Sequence, residues 1–548
     1  MYADLVFTGG PVFTADTVRS RTDAVAVLNG RIVAVGSPQV AELIGPSTEV
    51  VDLAGRLLIP GFQDAHIHPV GGGMELLRCN LADSHDVSEY EAVIAGYAAE
   101  HPDEEWILGG GWAMAAFPGG TPTAAALDRL VPERPVFLPN RDHHSAWVNS
   151  VALAAAGITR DTPDPEDGRI ERDADGNPSG VLHEGAMSLV EGLIPEPTTE
   201  EIVEGLLAGQ AYLHSLGITG WQDAIIGVYS GIPDAGEAYL QVAGDGRLTA
   251  RVVGALWWDR TAGAEQIPGL VARRERLQAG RFRATSIKIM QDGVPENFTA
   301  AMTYPYEDGC GHATDRSGIS FVPVEVLNQI VPELDALGFQ LHFHGIGDRA
   351  VRECLDAIEL AITRNGRNDQ RHHIAHLQVV HPDDVARLSQ LGVVANLQPL
   401  WATLDEQMAE LNLPFLGEPR SSWQYPFGDL LRHGTVLAGG SDWPVTTPNP
   451  FHAMHTAVTR QSAPGYSDQE AEAFLEHQKL DLATIMVAYT AGSAFVNHCE
   501  DEVGTIEVGK LADLVVLDSD PFATGDIANT KVLQTFVEGV RVYAADQA

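Results

Sequence analysis

Two histidines, His66 and His68, end the apolar segment RLLIPGFQDAHIH. Side chains two apart on a β-strand face the same side, and two imidazoles on one face can hold one divalent ion. In a chain with 20 histidines an HxH pair also arises by chance, so the pair alone carries little weight. It gains weight from what ends or interrupts the other apolar segments. Lys288 lies in ATSIKIMQDG, His342 and His344 in GFQLHFHGIGD, and His372, His373 and His376 in RHHIAHLQVV, while Asp442 follows GTVLAGG. A site for two ions needs about four imidazoles, an acidic residue and a bridging anion, and these segments supply the residue types. Spacing alone leaves open which of the paired histidines are ligands, because a lone histidine is more often a hydrogen-bonded core or loop residue. Lys288 is one of four lysines, with Lys479, Lys510 and Lys531. An unpaired ammonium in an apolar strand would cost several kcal/mol.

These residues can act together only if the fold brings their segments to one place. Eight apolar strand candidates alternate with helical patterns: the four segments beginning RLLIP, ATSIK, GFQLH and RHHIA, together with GITGWQDA, ARVVGALWW, GVVANLQPLW and GTVLAGGSDWPV. Several follow a helix ending in Leu-Gly, as in LHSLGITG, LDALGFQL and LSQLGVVA, where glycine suits a helix C-cap. Eight alternating units predict an α/β fold, a (β/α)8 barrel, in which the C-terminal ends of all strands converge on one mouth. The division expected is a β-sandwich part over 1–57, the first barrel strand over 58–74, an inserted subdomain over the mouth at 75–200, the rest of the barrel over 201–492, and a second sandwich part over 493–548. The insert carries its own turn-rich hairpin, GRIERDADGNPSGVLHE. Hairpins are expected around Gly9-Gly10, Asn29-Gly30 and Glu538-Gly539. Neither terminus has enough apolar area to fold alone, so the two are expected to build one sandwich together.

Composition narrows the function. Seventy-five acidic residues against 34 basic ones give a net charge of −41, a field that repels a phosphate backbone. The expected partner is a small-molecule substrate, with no nucleic acid and no membrane, and the chain is compatible with a homodimer. The four cysteines, Cys79, Cys310, Cys354 and Cys499, form no CxxC pair, which speaks against a disulfide framework or a zinc ribbon. MYADLVFTGGPVFTAD has acids early and no basic start or long apolar run, so a signal peptide is not expected and a cytoplasmic location is.

The order PGFQDAHIH, IKIMQDG, HFHGIGDRA, HHIAHLQ and GSDWPV, closed by GTIEVGKLADLVVLD, resembles the amidohydrolase superfamily across almost the whole chain. It is most similar to the family 3 branch that includes N-substituted formamide deformylases and exoenzyme-regulatory-protein-like hydrolases. The resemblance implies a metal set of His66, His68, Lys288, His344, His376 and Asp442. It implies one or two divalent ions, most simply Zn2+, and a Lys288 carboxylated by CO2 to bridge two of them. Ala375 stands where many relatives have an acidic residue. The implied chemistry is hydrolysis of an amide-like C–N bond by metal-activated water, with Asp442 moving the proton. His144, in DHHSAWVNSVAL, would polarise the substrate carbonyl. Glu184 in LHEGA is a weaker substrate contact. Trp112, Trp258, Trp401 and Trp443 suggest an aromatic or apolar pocket, and hence a small N-substituted amide or formamide. The rivals are a deaminase, a cyclic-amide hydrolase or a carbamate or ester hydrolase on the same fold, and a non-catalytic regulatory binding protein. A full ligand set has no purpose in a binder.

Overall fold

All eight predicted strands pair in parallel and in chain order: β1 (Phe62–Ile67), β2 (Ile218–Ile226), β3 (Arg251–Trp257), β4 (Phe282–Met290), β5 (Gln340–Gly345), β6 (His373–His376), β7 (Val394–Leu397) and β8 (Leu437–Gly439). The structure is a computed structural model and describes residues 2–82, 84, 86–229, 233–464 and 472–545. Strands in such a barrel are covered on both faces, which is why they read as near-continuous apolar runs. Every residue of β1, β2, β5, β6, β7 and β8 is buried.

The seam between β1 and β8 is joined at the mouth. Asp442 donates its backbone N–H to His66 O at 2.7 Å, and His68 N–H reaches Trp443 O at 2.8 Å. The Asn396 side-chain amide donates to Ala65 O at 2.8 Å. The expected Leu-Gly helix stops hold: Gly217, Gly338 and Gly392 have φ of +82°, +79° and +74°, the left-handed conformation glycine adopts without a Cβ penalty.

The helix preceding β2, Thr199–Ser215, shows how sequence sets an element. Thr198 accepts from Glu201 N–H and the Glu201 carboxylate returns to Thr198 N–H, a full capping box. Its inner face buries Ile202, Leu206 and Leu213. It packs on the helix Pro69–Leu76 so closely that a Cβ on Gly73 would lie 1.9 Å from Gly205 O.

Both termini build the sandwich. One sheet holds Leu5–Thr8, Val25–Leu28, Arg31–Val35 and Glu49–Asp52. The other joins Val12–Phe13, Arg21–Thr22 and Leu58–Pro60 to the C-terminal strands Leu514–Leu517, Val532–Val537 and Val540–Ala544. Phe7 and Phe536 meet edge to face across the interior at 5.1 Å. Asn29-Gly30 and Glu538-Gly539 turn hairpins, each with both residues at positive φ. The hairpin expected at Gly9-Gly10 does not form. The flanking strands enter different sheets, because Leu5, Phe7 and Val12 all point into the same apolar core and the chain must cross between layers there.

Within 75–200 a separate six-stranded sheet runs Gly168–Arg172, Pro178–Glu184, Ser145–Val148, Val136–Pro139, Ile107–Gly110, Cys79–Asn80. Its first pair is the GRIER…VLHE hairpin. The turn between Val136–Pro139 and Ser145–Val148 carries residues 140–144 toward the barrel mouth, where Asn297 Nδ2 donates to His144 O at 3.0 Å. Among the described residues no helix is long and apolar enough to cross a membrane.

Candidate active site

The buried carboxylate of Asp442 lies at the centre of the mouth. Its Oδ1 is 3.0 Å from His66 Nε2 and 3.0 Å from His68 Nε2, and its Oδ2 is 3.8 Å from His376 Nδ1. His66, His376 and Asp442 offer ligand atoms that all lie within 4.8 Å of one another. His344 joins them, its ring centroid 4.4 Å from that of His376. Lys288 is 3% exposed in β4, with no carboxylate within 4.0 Å among the described residues. Asp292, the acid nearest it in sequence, is occupied elsewhere: it accepts from the backbone N–H groups of Ala301, Ile346 and Gly347, and lies 3.3 Å from His344 Nδ1. That contact turns the other His344 nitrogen away from Asp292, the usual way an outer carboxylate orients a metal-binding imidazole.

The hydrogen bonds beneath the site decide which nitrogens carry protons. Gln340 Nε2 donates to two backbone carbonyls, Arg371 O and Val496 O. Its Oε1 therefore accepts, and Gln222 Nε2 donates to it at 2.9 Å. Gln222 Oε1 in turn accepts from His342 Nδ1 at 2.6 Å and His373 Nε2 at 2.9 Å. His342 Nε2 is left with a lone pair, so His66 Nδ1–H donates to it at 2.6 Å. The free lone pair of His66 is then on Nε2, facing Asp442.

Burial, reinforced by the Lys288 charge, holds the His66 imidazole down to about 3 and hence neutral. Burial pushes the Asp442 carboxyl up, and the N–H that His68 Nε2 donates to Oδ1 opposes that push. A lone pair and a carboxylate oxygen therefore face each other with no proton between them. The buried His68 Nδ1 and His376 Nδ1 have no hydrogen-bond partner among the described residues. Imidazole nitrogens, a carboxylate and orphaned buried acceptors fit a divalent ion of the zinc type.

Backbone strain collects at the same place. Asp442 (φ 60°), His376 (φ 79°), Leu377 (φ 48°) and Glu184 (φ 50°) all hold positive φ, a conformation costing of order 1–3 kcal/mol per residue that clusters at functional sites.

His144 reaches the mouth from the insert. Its Nδ1 lies 2.9 and 3.0 Å from the two Glu184 oxygens, and its ring centroid is 5.8 Å from that of His344. Burial would lower the His144 pKa, but the Glu184 carboxylate outweighs it and raises it to about 9. At neutral pH His144 is therefore an imidazolium. Glu184 lies against His144 Nδ1 and accepts from Thr299 Oγ1 at 2.7 Å.

Beside this centre is a cavity of about 240 Å3, walled by Trp112, Trp401, Trp443 and Tyr212 on its aromatic side. Trp401 stacks on His376 at 5.2 Å and 3°. Trp258, expected among these, is not on the wall. It alternates with Trp257 along the chain, and its side chain is turned into the packing between barrel and helices. The wall mixes apolar side chains such as Met114, Leu400 and Val445 with three acids, Asp142, Glu296 and Asp405, which the sequence did not single out. The relay of Gln222, Gln340, His342 and His373 was also missed as a unit. Its one available signal was polar residues in fully buried strands.

The relay predicts that Gln222→Leu lowers metal affinity about 10–100-fold, the usual cost of losing an outer-sphere partner. Competition with a fluorescent chelator measures it. Unchanged affinity in a folded Gln222→Leu protein would show that the relay does not set the His66 tautomer.

A model of the amidohydrolase family matches residues 49–543. The chain is 30% identical to the putative amidohydrolase YtcJ of Bacillus subtilis, over 98% of this chain and 99% of that one. It is 28% identical to an N-substituted formamide deformylase of Arthrobacter pascens, over 98% of each. Its fold matches an uncharacterized metal-dependent hydrolase of Pyrococcus furiosus with a TM-score of 0.70 at 25% identity, covering 94% of this chain and 99% of that one. The chain belongs to the amidohydrolase family and is a metal-dependent hydrolase of carbon–nitrogen bonds on a (β/α)8 barrel.

Proposed function

We propose that the protein hydrolyses the amide-like C–N bond of a small N-substituted amide, with N-substituted formamides the first class to test. One observation carries this reading: the buried Asp442 carboxylate, 3.0 Å from the His66 and His68 imidazoles, lies at the same mouth as His144, whose ring is 5.8 Å from that of His344. His66, His68, His344, His376 and Asp442 would hold the metal, with Lys288 as its anionic carbamate if a second ion is bound. A divalent ion there supplies Lewis acidity, making water a nucleophile near neutral pH. Asp442 takes a proton from the attacking water and returns it to the leaving nitrogen, since an amine departs poorly as an anion. His144 donates its remaining N–H toward the carbonyl oxygen as negative charge develops there. The carbonyl carbon gains the water oxygen, the C–N bond breaks, and a carboxylic acid and an amine are released.

For Lys288 the proposed change forms an Nζ–C bond to CO2 with loss of one proton. Burial, opposed only in part by Asp442, lowers its pKa to about 7. A sizeable neutral fraction, the form that reacts with CO2, is therefore present near pH 7.

A panel of N-substituted formamides, acyl amines and cyclic amides, assayed for released amine, tests the reading. Turnover of an N-substituted amide that is lost on chelation and restored by zinc supports it. Metal-independent turnover, or ammonia release from amino-heterocycles with every amide inert, would overturn it.

A further inference from the structure

The cavity beside the reaction centre is acidic as well as aromatic. Asp142, Glu296 and Asp405 lie on its wall, and Arg141 is the one basic side chain there among the described residues. Arg141 is partly committed, donating Nη2 to Ala82 O at 3.0 Å. Each acid has one oxygen anchored. Asp142 Oδ1 accepts from His144 N–H, Asp405 Oδ1 from Met408 N–H, and Glu296 Oε1 from Gln407 Nε2 at 2.8 Å and Asn412 Nδ2 at 2.7 Å. The second oxygen of each has no hydrogen-bond partner among the described residues.

An independent feature points the same way. Because Asn412 Nδ2 donates to a carboxylate, Asn412 Oδ1 must accept, and Gln378 Nε2 donates to it at 3.2 Å and to Gln424 Oε1 at 3.0 Å. Gln378 is 3% exposed and lies on the cavity wall. Its Oε1 is left as an acceptor without a partner among the described residues. The cavity thus offers a ring of acceptors to a ligand.

Burial drives Glu296 and Asp405 toward protonation, and neighbouring acids, Asp142 for Glu296 and Glu406 for Asp405, add to it. Desolvating like charges together is unfavourable unless a cation joins them. The indole faces add attraction, because a cation within ~6 Å of a Trp centroid gains about 0.5–2 kcal/mol. A cavity wall that carries three indoles and three acids against one arginine disfavours carboxylates and favours a donor-rich cation. The wall adjoins the chemistry: Asp142 holds the His144 backbone, and Asn297, next to Glu296, holds the His144 carbonyl.

Resting on the amide-hydrolase reading above, we propose that the substrate is an amide whose substituent carries a protonated amine. Its ammonium hydrogens meet Glu296, Asp405 and Gln378, and its carbon frame lies against Trp401 and Trp443.

Two arms test this. In the first, kcat/KM is compared for N-formyl-4-(aminomethyl)benzylamine, a cation at pH 7.5, and N-formyl-4-ethylbenzylamine, its neutral near-isostere. The expected preference for the cation is tenfold or more, falling to within about threefold in Glu296→Gln and in Asp405→Asn. Equal or better turnover of the neutral amide, or a preference unmoved by both variants, would overturn the proposal. In the second arm, 4-methylbenzylammonium and 4-methylbenzyl alcohol are titrated into the holoenzyme by tryptophan fluorescence. The ammonium should bind at least tenfold more tightly, and equal affinities count against the proposal. This arm needs no turnover: if no amide of the panel is cleaved yet the ammonium binds selectively, the amide-hydrolase reading has failed and the cation site stands.

Discussion

Asp442→Asn is expected to keep the fold and most of the metal while kcat falls roughly 10²–10⁴-fold, the range for losing a positioned proton-transfer group. Asparagine keeps an oxygen in place of Oδ1 but cannot accept the proton of the attacking water. Position 442 is also in the left-handed region, at φ 60°, where asparagine is among the best-tolerated side chains. Added strain should therefore not confuse the result, as it would for Asp442→Ala. Steady-state kinetics with metal content and a melting curve on the same preparation separate the effects. Turnover within a few-fold of the parent would remove Asp442 from the proton path.

Glu184→Gln is expected to collapse activity at alkaline pH. The folded-state pKa of His144 is raised to about 9 by Glu184, against the opposing effect of burial. The imidazolium is therefore fully present below the ordinary histidine value of 6.5 and is lost as pH rises through about 9. In the parent, kcat/KM should fall on that alkaline limb. In the Glu184→Gln variant the strongest pull is gone and burial is opposed only by Asp142 and Glu296, so the limb moves down from about 9. At pH 8 the variant should then lose roughly 10²-fold, recovering partly toward pH 6. The pair's contribution to stability follows the same sign, present at low pH and lost through the same alkaline range. A pH profile with an unmoved alkaline limb would show that His144 does not act as a cation.

The strand–helix alternation was legible in the sequence because barrel strands are buried on both faces and several of the helices stop at a glycine. All eight segments hold, as does joint assembly of the sandwich. The Gly9-Gly10 crossing was not legible, since glycine pairs serve hairpins and inter-sheet crossings alike, and only the partners of Val12 tell them apart. At the mouth, spacing could not separate His342 from His344, or His373 from His376. Both of each pair are buried, and the distinction is vertical: His342 and His373 meet Gln222, while His376 meets Asp442 and His344 packs on His376. Neither Trp258 nor its neighbour Trp257 lines the cavity, and the end of a strand in sequence does not say which aromatic side chains reach the mouth. The acidic wall was hidden because Asp142, Glu296 and Asp405 lie in loops and short turns of three separate segments.

Whether the Asp442 cluster is a metal site serving hydrolysis is tested most directly in crystals grown with zinc and bicarbonate, with data collected on both sides of the zinc edge. An anomalous peak is expected within bonding distance of His66, His68 and Asp442, and a second peak near His344 and His376. Density for three extra atoms beyond Nζ of Lys288 is expected between the two peaks. One fully occupied peak beside a bare Lys288 would contradict the two-ion form, and no anomalous peak at the Asp442 cluster would contradict the metal site itself.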